Sequence, residues 1–257
     1  MNSKLVDWRP AGPARYRAFL VAGVIALALL WEFAGRSTHG LVLPPLTEIL
    51  KALFDGGNRR AIETAALTTI PDIAVSLLLG IAAGVICAFI ASIWSLAQAP
   101  IQRTALFLST LPVIILAPVL VSVLGVDRVP LAIGALASFF PIFVAAAAGF
   151  SEARAPLVEL IAALGGGKVD QFRFVRWPSA LLMMADGLQV SALYATFGVL
   201  FGEWFGTDRG LGVLLLTSMQ NYQVELLWLT ALAVTVLSNA LAFSIGFVSK
   251  LAVRSLI

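Results

Sequence analysis

Charge is what this 257-residue chain has least of. Asp, Glu, Lys and Arg make up 12% of it, against 60% hydrophobic residues and a mean hydropathy of +0.97. A soluble domain of this size needs far more charged surface, so the composition excludes one and places the chain in a bilayer. Cysteine is nearly absent as well. Lone Cys87 permits no intrachain disulfide, and within an apolar run it reads as a packing residue. His39 is the single histidine, and without a cysteine cluster it argues against a metal site; it reads as a loop residue near a membrane surface. Also missing is the string of Asp, Glu or His through mid-membrane that proton-coupled carriers use. If this chain moves a solute uphill, the energy must enter from outside the bilayer.

What the chain has instead is apolar runs. Six of them, at 18–35, 73–93, 105–125, 130–150, 181–205 and 226–249, approach the about 20 residues that a spanning helix needs. Runs of this length satisfy their backbone as helices, so the expected fold is an all-α integral membrane protein with six transmembrane helices. The first run is short and carries Glu32 near its end. Arg15 and Arg17 precede it as they would a signal peptide, but no small-residue cleavage site follows, so it is expected to remain as a span. Eleven of the 17 Lys and Arg residues fall in the N-terminal tail, 94–104, 151–180 and the C-terminal tail; six fall on the opposite face. That bias puts both termini in the cytoplasm. Residues 1–17 then form a cytoplasmic tail and 18–257 a single six-helix transmembrane domain.

The outer loop 36–72 reads as structured. Pro44-Pro45 ends an extended approach and Thr47 can cap a short helix. Ile49, Leu50, Leu53 and Phe54 give that helix an apolar face, and Gly56-Gly57 ends it. It is too short to cross and is expected to lie on the membrane surface. Pro71, Pro112, Pro118 and Pro141 punctuate the second, third and fourth spans, where each removes a backbone donor and predicts a kink.

Polar groups within the spans are few. Asp186 lies one turn into the fifth span and Glu203 near its far end, so both are expected to reach an interface. Gln189, Thr196 and Glu203 recur at seven-residue spacing, hence on one stripe of that helix. Such a stripe faces protein or water rather than lipid, and helix–helix hydrogen bonding explains it as well as a solute path does. Gln189, Tyr194 and Asn239 are the path-lining candidates.

One sizeable polar segment breaks the back half of the chain, LVELIAALGGGKVDQFRFVRWP from Leu157 to Pro178. It predicts two helices, Leu157–Leu164 and Lys168–Arg176, split by Gly165-Gly166-Gly167 and stopped by Pro178. Gly165 stands where a helix end needs a left-handed residue. Leu160, Ala163 and Leu164 are offered to a partner or to the bundle, with Glu159 at their edge. Val169, Phe172 and Val175 recur at three-residue spacing and are expected to pack up against the spans. An elbow of this kind on one membrane face is a docking surface for something outside the bilayer.

In its spacing, Glu159, five residues, Gly165, nine residues, then Val175-Arg176-Trp177-Pro178, the elbow resembles the signature loop of membrane-spanning permease subunits of bacterial ATP-binding-cassette importers. Glu159, Gly165, Val175 and Pro178 match that loop; Leu160-Ile161 stands for its Ala-Ala and Trp177 for its Leu. Leu111-Pro112, Phe139-Phe140-Pro141-Ile142-Phe143, Gly187-Leu188 and Gly202-Glu203 resemble the nitrate/sulfonate/taurine branch, covering about residues 20 to 254. Asp72 and Gln189 depart from it, standing where that branch carries Arg.

The resemblance implies a type I importer permease fold, with 151–180 as the cytoplasmic coupling loop. It implies a homodimer of two copies around a central path in the bacterial inner membrane, in contact with lipid and with no nucleic acid. A cytoplasmic ATPase dimer would grip each elbow at Glu159, Ala162, Ala163, Gly165 and Pro178, and an external solute-binding protein would deliver the cargo. The cargo would be a small anion such as a sulfonate, taurine or nitrate, or a vitamin precursor. The chain itself is expected to be no enzyme and to hold no cofactor, with ATP bound by the partner. Gly167-Lys168 is followed by Val169, and Ala162 stands where a phosphate loop needs its first Gly. The competing expectations are a secondary carrier or channel, which calls for a charge relay, broken repeats or a filter loop, and a membrane-embedded enzyme, which calls for clustered catalytic groups.

Overall fold

The protein is described here from a computed structural model covering residues 13–37, 43–151 and 155–256. His39 and most of the 1–17 tail lie outside the described residues. Eleven α-helices follow in chain order: α1 (Pro13–Ser37), α2 (Leu46–Ala52), α3 (Gly56–Ile93), α4 (Ser95–Thr110), α5 (Val113–Leu124), α6 (Val129–Ser151), α7 (Ala155–Ala163), α8 (Lys168–Gln171), α9 (Trp177–Gly206), α10 (Leu211–Gln220) and α11 (Val224–Leu256). Among the described residues, five helical stretches are long and apolar enough to cross a membrane; α4 and α5, bent by 106°, make a sixth if taken as one broken span.

The bundle is built on α9, which packs along α6, α3 and α11. Small residues make the α6–α9 seam tight. A methyl group on Gly198 would lie 2.8 Å from the Gly134 Cα atom, and one on Gly202 would fall against Pro130. Close backbone approach of this kind replaces the hydrophobic drive that lipid does not supply. Serines bridge the neighbouring seam, with the Ser76 hydroxyl donating to the Leu131 carbonyl at 3.1 Å.

α1 is the exception to this packing. Its apolar face from Phe19 to Leu30 is exposed, and it joins the rest only at its end. There Glu32 accepts from the Thr47 backbone N–H (3.1 Å) and hydroxyl (2.8 Å), while the Trp31 indole donates to the Pro44 carbonyl and meets Trp228 edge-on at 5.0 Å. Glu32 near the end of the first run is therefore the group that ties α2 to α1.

Several expectations from the sequence need correction. The second span begins not at 73 but at Gly56, giving a 38-residue helix whose polar first third fills much of the expected outer loop. Gly56-Gly57 starts this helix rather than ending α2: Asp55 caps it by accepting from the N–H groups of Gly57 (2.8 Å) and Asn58 (3.1 Å). Thr47 lies inside α2 and spends its hydroxyl on Glu32 instead of capping. Of the apolar face expected for α2, Ile49 is buried against Leu229, while Leu50, Leu53 and Phe54 are exposed. The third span is not one helix over 105–125. Helix α4 already begins at Ser95, and Leu111-Pro112 in extended backbone breaks it from α5. Pro71, Pro118 and Pro141 lie inside continuous helices.

Candidate functional site

At the end of α6 the chain leaves the bundle and enters α7, nine residues with little packing except against α8. Helix α7 ends in a Schellman motif. Gly165 adopts φ +83°, its N–H donates to the Ala162 carbonyl at 3.0 Å, and the Gly166 N–H reaches back to the Ile161 carbonyl at 2.9 Å. The left-handed glycine expected at 165 is therefore present. Gly166 is confined too, since a methyl group there would meet the Ile161 side chain at 2.6 Å. Gly167 then starts α8, its N–H held at 2.8 Å by the Asp170 carboxylate. Three glycines thus do different jobs: a left-handed cap, a tight crossing and a helix start.

The second half of the elbow departs from expectation. The nine-residue helix Lys168–Arg176 is four residues of α8 followed by a wide π turn, Phe172–Arg176, closed by the Trp177 N–H on the Phe172 carbonyl. Pro178 does not stop it; the chain runs on into α9 without a break. Proline lacks an N–H and crowds the carbonyl four residues back, and the wider turn accommodates both effects. Residues 168–206 make one helical stretch long and apolar enough to cross a membrane.

The π turn is anchored by aromatic rings. Phe172 lies 5.4 Å from Phe89 and 5.7 Å from Phe150, and Trp177 stacks 6.1 Å from Phe150. The cluster joins α3, α6 and α9 to the elbow. Val175 is buried with it, whereas Val169 is 77% exposed, so two of the three residues expected to pack inward do so. Trp177, a departure in the signature loop, fills this cluster. Sequence alone gave no signal of it, because the rings come from four elements.

The outer surface of the elbow is apolar and uncovered. Leu157, Leu160, Leu164 and Phe174 are exposed, and Glu159, Ala162 and Ala163 lie exposed among them. A helix whose leucines the chain itself leaves uncovered suits an interaction site.

The path-lining candidates are not brought together. Tyr194 lines a groove between α6 and α9 with Phe140, Val144, Met183, Asp186 and Val190. Gln189 faces α11, where a methyl group on Gly246 would lie 2.8 Å from its Oε1. Asn239 is exposed on α11 and its amide donates to the Thr235 carbonyl at 2.8 Å. On the stripe, Thr196 is buried and donates to the Ala192 carbonyl of its own helix. Asp186 is exposed and pairs with Lys250 of α11 at 3.2 Å.

Glu203 does not reach an interface; it is 1% exposed. Its Oε1 accepts from the Thr69 hydroxyl of α3 at 2.6 Å, and its Oε2 from the Gly212 N–H at the start of α10 at 2.6 Å. Thr69 in turn accepts from the Leu211 N–H at 2.8 Å. Three helices meet on this one carboxyl group.

The family model described as "Binding-protein-dependent transport system inner membrane component" matches residues 80–257. A probable ABC transporter permease protein of Haemophilus influenzae is 26% identical over 235 residues, covering 90% of this chain and 94% of the relative. The formylaminopyrimidine transport permease protein ThiX of Halalkalibacterium halodurans is 27% identical over 194 residues, 73% of this chain and 76% of the relative. The riboflavin transport system permease protein RibX of Chloroflexus aurantiacus is 23% identical over 145 residues, 56% of this chain and 54% of the relative. Among solved structures, an inward-facing form of the MetNI methionine ABC transporter shares the fold with a TM-score of 0.54 at 17% identity, over 77% of this chain and 95% of that one.

Proposed function

The chain belongs to the family of binding-protein-dependent transport system inner membrane components, and on that footing we propose that it is the membrane subunit of an ATP-driven importer with α7 as the ATPase dock. The observation that carries this reading is the elbow: an apolar helix capped rigidly by Gly165, open on its outer face and fixed to the bundle through the π turn. Glu159, Ala162, Ala163 and Gly165 form the grip of a cytoplasmic ATPase dimer, and Pro178 fixes the turn into α9. Both termini and the elbow then lie in the cytoplasm, residues 1–17 form a tail, and 18–257 form one permease domain. A solute-binding protein docks on the opposite face.

Asp186, Lys250 and Tyr194 are exposed on one side of the bundle, within or at the ends of membrane-spanning helices. Charged groups at that depth face protein or water rather than lipid. This favours a second copy of the chain across that side, with Tyr194, Gln189 and Asn239 toward the path. The groove beside Tyr194 presents Phe140, Met183 and an Asp186 already paired with Lys250, and two relatives are named for heterocycle transport. We therefore favour a heterocyclic vitamin precursor as cargo over nitrate, taurine or a sulfonate.

The test is affinity purification of the detergent-solubilised subunit from its native host. Recovery of an ATPase with a phosphate loop, abolished by joint Glu159→Ala and Gly165→Asp, is expected. An intact subunit that reproducibly purifies alone overturns the reading.

A further inference from the structure

Behind the π turn, on the membrane side of the elbow, lie two adjoining cavities that the docking role does not use. The first, of about 210 Å³, is walled by Gln98 and Gln102 of α4, Ser92, Ser151 and Arg176, with Phe150 at its back. The second, of about 510 Å³, runs between the end of α3 and α8 and is walled by Phe89, Ile93, Val169 and Phe172, with Lys168 and Gln171 at its edge. Ser92 and Arg176 line both.

The chemistry of the two chambers is unlike. In the first, the guanidinium of Arg176 forms no ion pair among the described residues, and the side-chain amides of Gln98 and Gln102 form no hydrogen bond there. Among the described residues, no carboxylate lines either chamber. A forked cation in the wall, with two exposed glutamine amides at the rim, suits a phosphate group. The second chamber is largely apolar and open, with Ile93 62% and Val169 77% exposed. It opens beside Ile93, where the apolar helix α3 ends.

We propose that the paired cavities bind one anionic phospholipid, its phosphate on Arg176, Gln98 and Gln102 and its acyl chain along Phe89, Ile93 and Val169. A free phosphate or nucleotide satisfies the first chamber but leaves the second bare, which is why the lipid is the occupant named. Basic pockets between spans on the cytoplasmic side are known to suit anionic headgroups. Lipid bound there wedges α3 and α4 against the π turn and so stiffens the lever that carries α7. That consequence rests on the importer reading; the binding site itself does not.

The test uses the full chain in phosphatidylcholine nanodiscs doped with phosphatidylglycerol, with retained lipid counted by native mass spectrometry. Wild type is expected to keep phosphatidylglycerol in preference to phosphatidylcholine. Arg176→Gln and the double variant Gln98→Ala/Gln102→Ala are each expected to bind it about tenfold more weakly, in line with loss of charge-assisted hydrogen bonds. Arg173→Gln, which removes an exposed cation of the same turn that lines neither cavity, is expected to change nothing. Excess inorganic phosphate should not displace the lipid. Equal retention by wild type and both cavity variants overturns the site. An equal loss in Arg173→Gln reduces it to general surface charge and overturns it too, and displacement by phosphate alone replaces the lipid with a free anion.

Discussion

The two ends of α9 are built to opposite rules. At one end Glu203 is wholly enclosed and shared among α3, α9 and α10, its acceptors filled by the Thr69 hydroxyl and the Gly212 N–H. At the other, α9 continues through the π turn into α8, beyond which α7 stands clear with leucines exposed. The first end satisfies the Glu203 carboxyl from within the chain. The second fixes its own geometry through Gly165 and an aromatic cluster but leaves its outer surface for another molecule. A transport subunit needs both: a rigid frame, and a lever that only a partner completes.

Breaking the locked end gives the largest effect. Glu203→Ala leaves the Gly212 N–H without its partner and takes from the Thr69 hydroxyl its bond across to α9, leaving it only those to Ala65 and Leu211, in a buried site, and is expected to cost about 3 kcal/mol. Thermal unfolding of the detergent-solubilised subunit measures this, and an unchanged midpoint would contradict the tie between helices. Gly210→Ala tests the same node from the backbone side. Gly210 adopts φ +119°, and a methyl group there would run into the Glu203 carboxyl, so a loss of about 2 kcal/mol is expected.

At the other end, the comparison sharpens between the anchor and the dock. Phe172→Ala removes the ring that joins α3 and α6 to the π turn, and a loss of about 2 kcal/mol is expected from a half-buried aromatic residue. Hydrogen exchange should rise in α8 and the π turn before it rises in α6. Leu160→Ala on α7 should change unfolding by less than about 0.5 kcal/mol, since this side chain is exposed, yet weaken ATPase capture. If Leu160→Ala destabilised the isolated subunit as much as Phe172→Ala, the distinction between anchor and dock would fail. Asp186→Asn is expected to be similarly mild. It removes an exposed ion pair with Lys250, and a change under about 1 kcal/mol is expected in the isolated chain.

Much of this was legible in the residues. Apolar runs located the spans to within a few positions in the fourth, fifth and sixth helices, because a bilayer imposes a length and forbids charge. Gly165 announced its left-handed turn because few other residues adopt one. Hydropathy missed the first third of α3, from Gly56 to Ile70, because a helix that leaves the apolar layer keeps its hydrogen bonds while changing its composition. Pro178 misled for a related reason. Proline forbids a regular α-helical hydrogen bond, but not a wider turn that needs none at that position. The 106° bend at Leu111-Pro112 was visible only as a proline, without its angle.

The sequence by itself determined that this chain spans a membrane as helices, roughly where, and that a glycine-capped elbow interrupts them. Those features follow from short-range rules of length, polarity and backbone freedom. Tertiary structure alone decided that Glu203 is an internal tie rather than an interfacial charge. It also decided that Phe89, Phe150, Phe172 and Trp177 form one anchor, and that Arg176, Gln98 and Gln102 line one cavity. Each of these joins residues far apart in the chain, and only the packing of α3, α4, α6 and α9 brings them within a few ångströms.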